Sequence, residues 1–289
     1  LGSYYLTIWT KTVLTAKANG NITLGQIYIG STTATSSSNY NHTKRSTTDH
    51  SQVFTSSPDS LYVWTKYWAN SSTSQARISA FIHGNTDFKD PNDTGTATAY
   101  AAKATRQFTR TGTSAGNCSW VQQKIPFVNN GSSTRNYIIM TFTSNSIPGG
   151  GSAGDSLSID DIELIYSAWL TDIKLNNVTL NGFQIDNFSY DTVFPRGTNP
   201  NIWPSITYTS EVSDVYVSID TVKGVNNGID SAKYIIHVLA EDSVTEKTYT
   251  INYSIWKSPD NTLSQLGYTL SGSDTVMIPG FTSSTYTYN

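Results

Sequence analysis

The chain has 289 residues, 37% of them hydrophobic and only 13% charged, with a formal charge of −3 and a single cysteine. That balance gives no electrostatic reason to expect nucleic acid or an anionic membrane surface as partner. Lone Cys118 excludes an intrachain disulfide and a cysteine-built zinc site.

The chain opens LGSYYLTIW, already patterned as a strand, and reads as a mature fragment rather than a leader peptide. No apolar run approaches membrane-spanning length. Strand signals then follow at GQIYIG (25–30), SLYVWTKYW (60–68), ARISAFIHG (76–84), NYIIMTFTS (136–144), GDSLSIDDIELIYS (154–167), DVYVSIDTV (214–222) and KTYTINYSIW (247–256). Gly, Asn, Pro and Ser clusters such as NSSTS, PNDTG, PGGGSAGDS and VNNG separate them. No window shows apolar residues at helical spacing. Short strands with turns this frequent predict an all-β chain built of sandwiches, not a parallel sheet with crossover helices. Abundant Ser, Thr, Asn and Tyr with little charge suit a bacterial protein at the cell surface or outside the cell. N-x-S/T triplets, as at Asn41 and Asn70, arise by chance in such a composition.

A boundary falls near Ser167, where the pattern changes to AWLTDIKLNNVTLNGF, and a second unit runs to about Trp256 before the linker-like KSPDNT. The expected organisation is therefore 1–167, 168–257 and 258–289. The last segment looks like a partial copy of the second unit. Leu170 and Ile173 correspond to Leu263 and Leu266, Gly182-Phe183 to Gly280-Phe281, and Tyr190 to Tyr288. In the second unit, Leu170, Ile173, Phe183, Tyr249 and Ile251 have the alternation of core positions. Half a module cannot bury its apolar face alone, so 263–289 would dock on a neighbour, pair between chains, or continue into a longer protein.

The acids of GDSLSIDDIELIYS pose the chemical question. Leu157 and Ile159 face one side and Ile162, Leu164 and Tyr166 one side, with a one-residue slip at Asp160-Asp161 that predicts a β-bulge. The acids are then a solvated or turn-bonding pair, a structural Ca²⁺ site made by Asp155, Asp160 and Asp161, or catalysts. Hard cations want several carboxylate and carbonyl oxygens. Glycoside hydrolysis instead wants two carboxyl groups facing each other across a bond, which strand neighbours cannot do. A second cluster, Asp87, Asp90 and Asp93 in GNTDFKDPNDTG, sits on a loop where acids most often make turns. His42, His50, His83 and His237 lack metal or catalytic spacing, and no nucleophile elbow or phosphate loop is present. Cys118 reads as an inert thiol.

Aromatic rings bind the flat C–H faces of pyranoses. In SLYVWTKYW, Tyr62, Trp64, Lys66 and Trp68 share one face and Leu61, Val63, Thr65 and Tyr67 the other. Lys66 implies that its face is partly exposed, so Trp64 and Trp68 are candidate sugar contacts, with Tyr40 and Tyr100 from loops completing a platform. Trp120, in SWVQQKIPF, reads as core.

Two resemblances add to this reading. The L-x-x-L opening, Gly-Phe before a spaced Tyr, and the closing AEDSVTEKTYTINYSI (240–255) resemble cadherin-like β-sandwich domains of bacterial surface proteins. That implies a spacer or assembly module with possible surface-protein partners and no catalytic residues. GQIYIG, PDSLYVWTKYW (58–68) and GDSLSIDDIELIYS resemble a "putative carbohydrate metabolism domain" family of gut-bacterial glycan-utilisation systems, although the family's aromatic and acidic opening segment is missing. This resemblance implies a jelly-roll-like sandwich similar to carbohydrate-binding modules. The expected whole is a jelly-roll-like sandwich, then an Ig/cadherin-like sandwich and a partial copy. Its expected role is non-catalytic recognition of a polysaccharide or oligosaccharide, outer-membrane associated and needing at most structural Ca²⁺. A glycoside hydrolase using Asp carboxylates and a structural adhesin or stalk are the alternatives.

Overall fold

The computed structural model describes residues 2–130, 134–212, 214–257, 263–269, 274–282 and 284. The protein is all-β, and no α-helix forms among the described residues. The packing divides it into two compact units. One gathers Leu1–Trp169, Glu211–Tyr216 and Leu239–Glu246; the other gathers Leu170–Ser210, Val217–Val238 and Lys247–Asn289.

The first unit is a sandwich of two antiparallel sheets. One has the strand order Leu6–Trp9, Ser156–Ile165, Ser60–Trp68, Val121–Pro126. The other runs Val128–Asn129, Ala102–Thr109, Gln75–His83, Tyr137–Thr143, Asn21–Thr23. Strict alternation sends Leu61, Val63, Thr65 and Tyr67 inward. There Leu61, Val63 and Tyr67 join Ile125, Leu157 and Ile159 against Ile78, Ala80, Ile82, Ile138, Met140 and Phe142 from the opposing sheet. A fully buried aliphatic side chain contributes about 1.5–3 kcal/mol, so this layer supplies the unit's main stabilisation.

The second sheet is covered on its far side as well. A small sheet of Lys89–Asp90, Asn39–His42 and Gln26–Ile29 accompanies a second apolar cluster of Phe81, Phe88, Tyr100 and Ile139. The Gln75–His83 strand is therefore buried on both faces from Ile78 onward.

The second unit pairs a three-stranded sheet (Val178–Thr179, Leu170–Leu175, Ile206–Ser210) with a four-stranded one (Ser189–Phe194, Glu246–Ile255, Lys233–Leu239, Tyr216–Val222). Ser189–Phe194 runs parallel to Glu246–Ile255. Leu170, Ile173, Tyr249 and Ile251 are fully buried. Phe183 is only half-buried, stacked on Tyr190 with centroids 5.8 Å apart.

The two copies of the sequence repeat share local geometry. The Leu180 amide donates to the Ile173 carbonyl at 2.7 Å, and the Ile278 amide donates to the Leu266 carbonyl at 2.9 Å. Gly182 and Gly280 follow two residues later at φ of 72° and 73°, where a side chain is disfavoured. Tyr288, the last matched position, lies outside the described residues.

Candidate functional site: an aromatic sheet face

The outer face of the four-stranded sheet is built by strand register. On Ser60–Trp68, the residues Tyr62, Trp64, Lys66 and Trp68 alternate outward and are half-buried. Across the ladder, Trp64 lies between Gln122 and Asp160, Lys66 opposite Ser158, and Trp68 opposite Ser156. Ser156 in turn faces Trp9 on the edge strand. Trp9 and Trp68 are thus two strands apart on one row, about 10 Å between backbones, with only a serine between their rings.

Trp9 is 52% exposed. The Arg110 guanidinium sits 4.6 Å from the Trp68 ring centroid, supplying N–H donors beside an aromatic face. Lys124 Nζ lies 5.1 Å from the Tyr62 ring.

Tyr5 and Trp120 frame the same face. Each immediately precedes an edge strand, Leu6–Trp9 and Val121–Pro126, at opposite sides of the sheet. Their rings nevertheless meet edge to face with centroids 5.3 Å apart, so the two side chains lean inward across the central strands. Trp120 is half-buried in that contact, not in the core as its sequence context implied. The face therefore combines four tryptophans and two tyrosines with Asp160, Gln122, Lys66 and Arg110. Rings that stack on C–H faces stand beside groups that bond hydroxyls.

The closing strand carries the predicted bulge. Its register against Ser60–Trp68 shifts between Asp160 and Glu163, leaving Asp161 and Ile162 opposite the single residue Val63. Asp161 adopts φ of 46°, a left-handed conformation that Asp tolerates better than most residues. Asp160 accepts the Gly2 amide on Oδ2 and the Asp161 amide on Oδ1, both at 3.0 Å. Ile162 is not buried in the core as expected but is 50% exposed at the open edge between the sheets. It lines an apolar cleft of about 480 Å³ with Leu6, Ile22, Leu24, Met140, Phe142 and Ile159.

The calcium set does not assemble. Asp155 is fully buried and its carboxylate is wrapped by N–H donors: the Asn70 amide at 2.8 Å, the Ser152 amide at 2.8 Å and Asn145 Nδ2 at 3.0 Å. Such a shell suits an anion holding a loop, not a cation ligand. Among the described residues no group of three or more His, Cys, Asp or Glu could hold a metal.

Tyr100 and Tyr40 do not join the tryptophans. Tyr100 is 5% exposed, its ring edge-on to Phe81 at 5.2 Å beneath the small sheet, so it cannot stack on a ligand. Tyr40 belongs to that small sheet, stacked on Tyr28 at 5.0 Å with Lys89 Nζ 4.8 Å from its ring.

The loop acids also have structural partners. Asp87 binds Arg45 at 2.7 Å, and this partner holds its pKa below the usual carboxylate value against the opposing effect of burial. Buried Asp90 takes Arg77 at 2.5 Å and Ser79 Oγ at 2.9 Å, and Asp93 accepts the Lys89 amide. Cys118 is buried, its Sγ 3.5 Å from the Ser114 carbonyl, as an inert thiol would be.

No family model matches the chain. Over 94 residues the chain is 31% identical to a gellan lyase of a Bacillus species, a stretch covering 32% of this chain and 4% of that protein. Among solved structures it is similar to a "putative glycoside hydrolase" from Bacteroides thetaiotaomicron, at 18% identity and a TM-score of 0.43, over 56% of this chain and 53% of the other. The chain spans a small fraction of the lyase and about half of the hydrolase.

Proposed function

We propose that the first unit is a glycan-recognition module that binds a polysaccharide or oligosaccharide on the outer face of its four-stranded sheet, without cleaving it. One observation carries the reading: Trp9, Trp64, Trp68 and Trp120 gather on a single sheet face, interleaved with Asp160, Gln122, Lys66 and Arg110. A sheet face left to solvent in an ordinary sandwich carries polar residues, and large aromatic patches mark binding surfaces. The stretch of similarity to a gellan lyase supports a polysaccharide as ligand. An extracellular or surface setting goes with this reading, and the second unit would act as a spacer.

The placement of the acids supports recognition without cleavage. On this face Asp160 and Glu163 lie on one strand, and both oxygens of Asp160 accept amide N–H groups. Hydrolysis needs two carboxyl groups opposed across the bond, roughly 5–9.5 Å apart. The loop acids Asp87, Asp90 and Asp93 are held by Arg45, Arg77 and the Lys89 amide.

Alanine substitution tests the platform. Losing a stacked ring costs about 1–2 kcal/mol, so Trp9→Ala and Trp68→Ala should each weaken binding of a cognate oligosaccharide about tenfold with the melting curve little changed. Unchanged affinity in both variants would remove the face from the site.

A further inference from the structure

The small sheet that covers the far side of the first unit has an outward face of its own. Register sorts its side chains into two sets. Asn41 lies between Ile27 and Asp90 in one set. In the other, Gln26, His42 and Lys89 form one row and Tyr28 and Tyr40 the next. Asn41 and Asp90 are buried and tie the sheet to the layer beneath. The Asn41 side-chain oxygen accepts from Asn21 Nδ2 at 2.8 Å, and Asp90 accepts from Ser79 Oγ at 2.9 Å. The row of Gln26, His42 and Lys89 and the tyrosine pair therefore point away from the sandwich.

The rings of Tyr28 and Tyr40 stack with centroids 5.0 Å apart, and His42 meets Tyr40 edge to face at 5.3 Å. Lys89 Nζ lies 4.8 Å from the Tyr40 ring centroid. Tyr28 stands on the terminal strand of the sheet, so no paired strand covers its outer side, and it is 48% exposed. Its ring leans over Gly30, where a Cβ would come within 3.0 Å of Tyr28 Cε1. One aromatic surface is thus open. A second ring buttresses it, and the amide of Gln26 and the ammonium of Lys89 stand in the neighbouring row.

We propose that this face is a second saccharide-binding surface, taking a pyranose unit of a glycan on Tyr28 and making the first unit bivalent. The inference rests on the glycan reading above but uses separate residues. A pyranose lays its C–H face on a ring while its hydroxyls bond amide and ammonium groups, and this face offers both. The centre of a protein interface is instead depleted in charge, whereas here an ammonium lies over the aromatic pair. The tryptophan face lies on the opposite side of the sandwich, about 20 Å away across two inter-sheet spacings. A trisaccharide cannot reach both. The two surfaces therefore hold separate chains or distant parts of one polysaccharide.

The test is isothermal titration of the intact chain with trisaccharides of a neutral β-glucan, a neutral α-glucan and a uronate polymer. A trisaccharide that binds should occupy two sites per chain, the tighter one on the tryptophans. Tyr28→Ala should weaken the second site about fivefold, the value of one stacked ring, and leave the first unchanged. Tyr28→Phe keeps the ring and should keep the site. Trp68→Ala should weaken the first site alone. Light scattering supplies a second readout: the chain should cross-link the parent polysaccharide into large particles, and Tyr28→Ala should prevent it.

A single site, weakened by Trp68→Ala and indifferent to Tyr28→Ala, would overturn the inference and leave the tryptophan face standing. A single site that follows Tyr28 and ignores Trp68 would overturn the tryptophan reading and with it the claim of two sites. Should Tyr28→Ala also lower the melting curve, the Trp9→Ala/Trp68→Ala double variant decides, because it leaves the small sheet untouched. A site that persists in it supports the inference, and its absence overturns it. A dimer that Tyr28→Ala dissociates in sedimentation would make the face a contact between copies and overturn it too. If no trisaccharide binds, both readings fall.

Discussion

Asp155 illustrates how a residue's neighbours in space overrule its neighbours in sequence. Beside the glycine-rich loop and five residues from Asp160, it looks like a cation ligand. Its three donors come from Asn70, Asn145 and Ser152, and only the folded chain brings Asn70 to it. Gly151 belongs to the same knot: at φ of 70° it leaves room where a Cβ would overlap the Asn145 amide and sit 2.5 Å from Asp155 Oδ2. Asp155→Ala should cost about 3–5 kcal/mol, since it strands several buried donors. Thermal melting should show a fall of about 10 °C for a unit of this size; a fall of a degree or two would contradict the assignment.

His83 is the second residue whose role came only from packing. It is fully buried, its Nδ1–H donating to the Gly84 carbonyl at 2.9 Å while Nε2 accepts from the Thr43 hydroxyl at 2.8 Å. Its ring stacks on Phe88 at 5.2 Å. Burial drives its pKa down to about 4. The unfolded chain takes up this proton near 6.5, so the stability from neutral His83 is complete above that pH and lost as pH falls towards 4. Asp59 works in the opposite sense. Burial, with Glu211 beside it, raises its pKa to about 6, so its contribution is present below the ordinary carboxylate value and lost as pH rises through 6. Comparing wild type with His83→Gln separates the two. The difference in unfolding free energy should change by about 1.4 kcal/mol per pH unit at most between 6.5 and 4. A flat difference would contradict the buried neutral ring.

At the scale of the element, the closing strand was the most legible part of the chain. The slip in apolar phase at Asp160-Asp161 announced the bulge, and the register shift lies there. The phase could not say that both residues facing Val63, Asp161 and Ile162, would stay exposed. Asp161→Val should cost about 1–3 kcal/mol by forcing a β-branched residue to positive φ, whereas Asp161→Gly should be near neutral; urea unfolding of the pair decides it. The alternation in SLYVWTKYW likewise identified Trp64 and Trp68 on the partly exposed face. The place of Trp9 and Tyr5 depends on pairing with a strand about 150 residues later, which no local pattern encodes. Tyr100 lies beneath a third layer, covering Gln75–His83, that its loop-like sequence context does not reveal. A signal existed: from Ile78 to His83 that strand has almost no polar alternation, as a strand buried on both faces would read.

Across the whole molecule, composition and turn spacing were enough to establish an all-β chain of sandwiches. They could not locate the site, because convergence of side chains from four strands is a product of register. The sandwich turns the register of one sheet into an aromatic face, which stands on strands rather than loops and is preorganised by the ladders beneath it. The measurement that bears most directly on this account is titration of the intact chain against a panel of polysaccharides, with released reducing ends assayed on every ligand that binds. Saturable binding without product, weakened about tenfold by Trp68→Ala, is the predicted result. Release of reducing ends, or affinity indifferent to Trp9, Trp64 and Trp68, would contradict it.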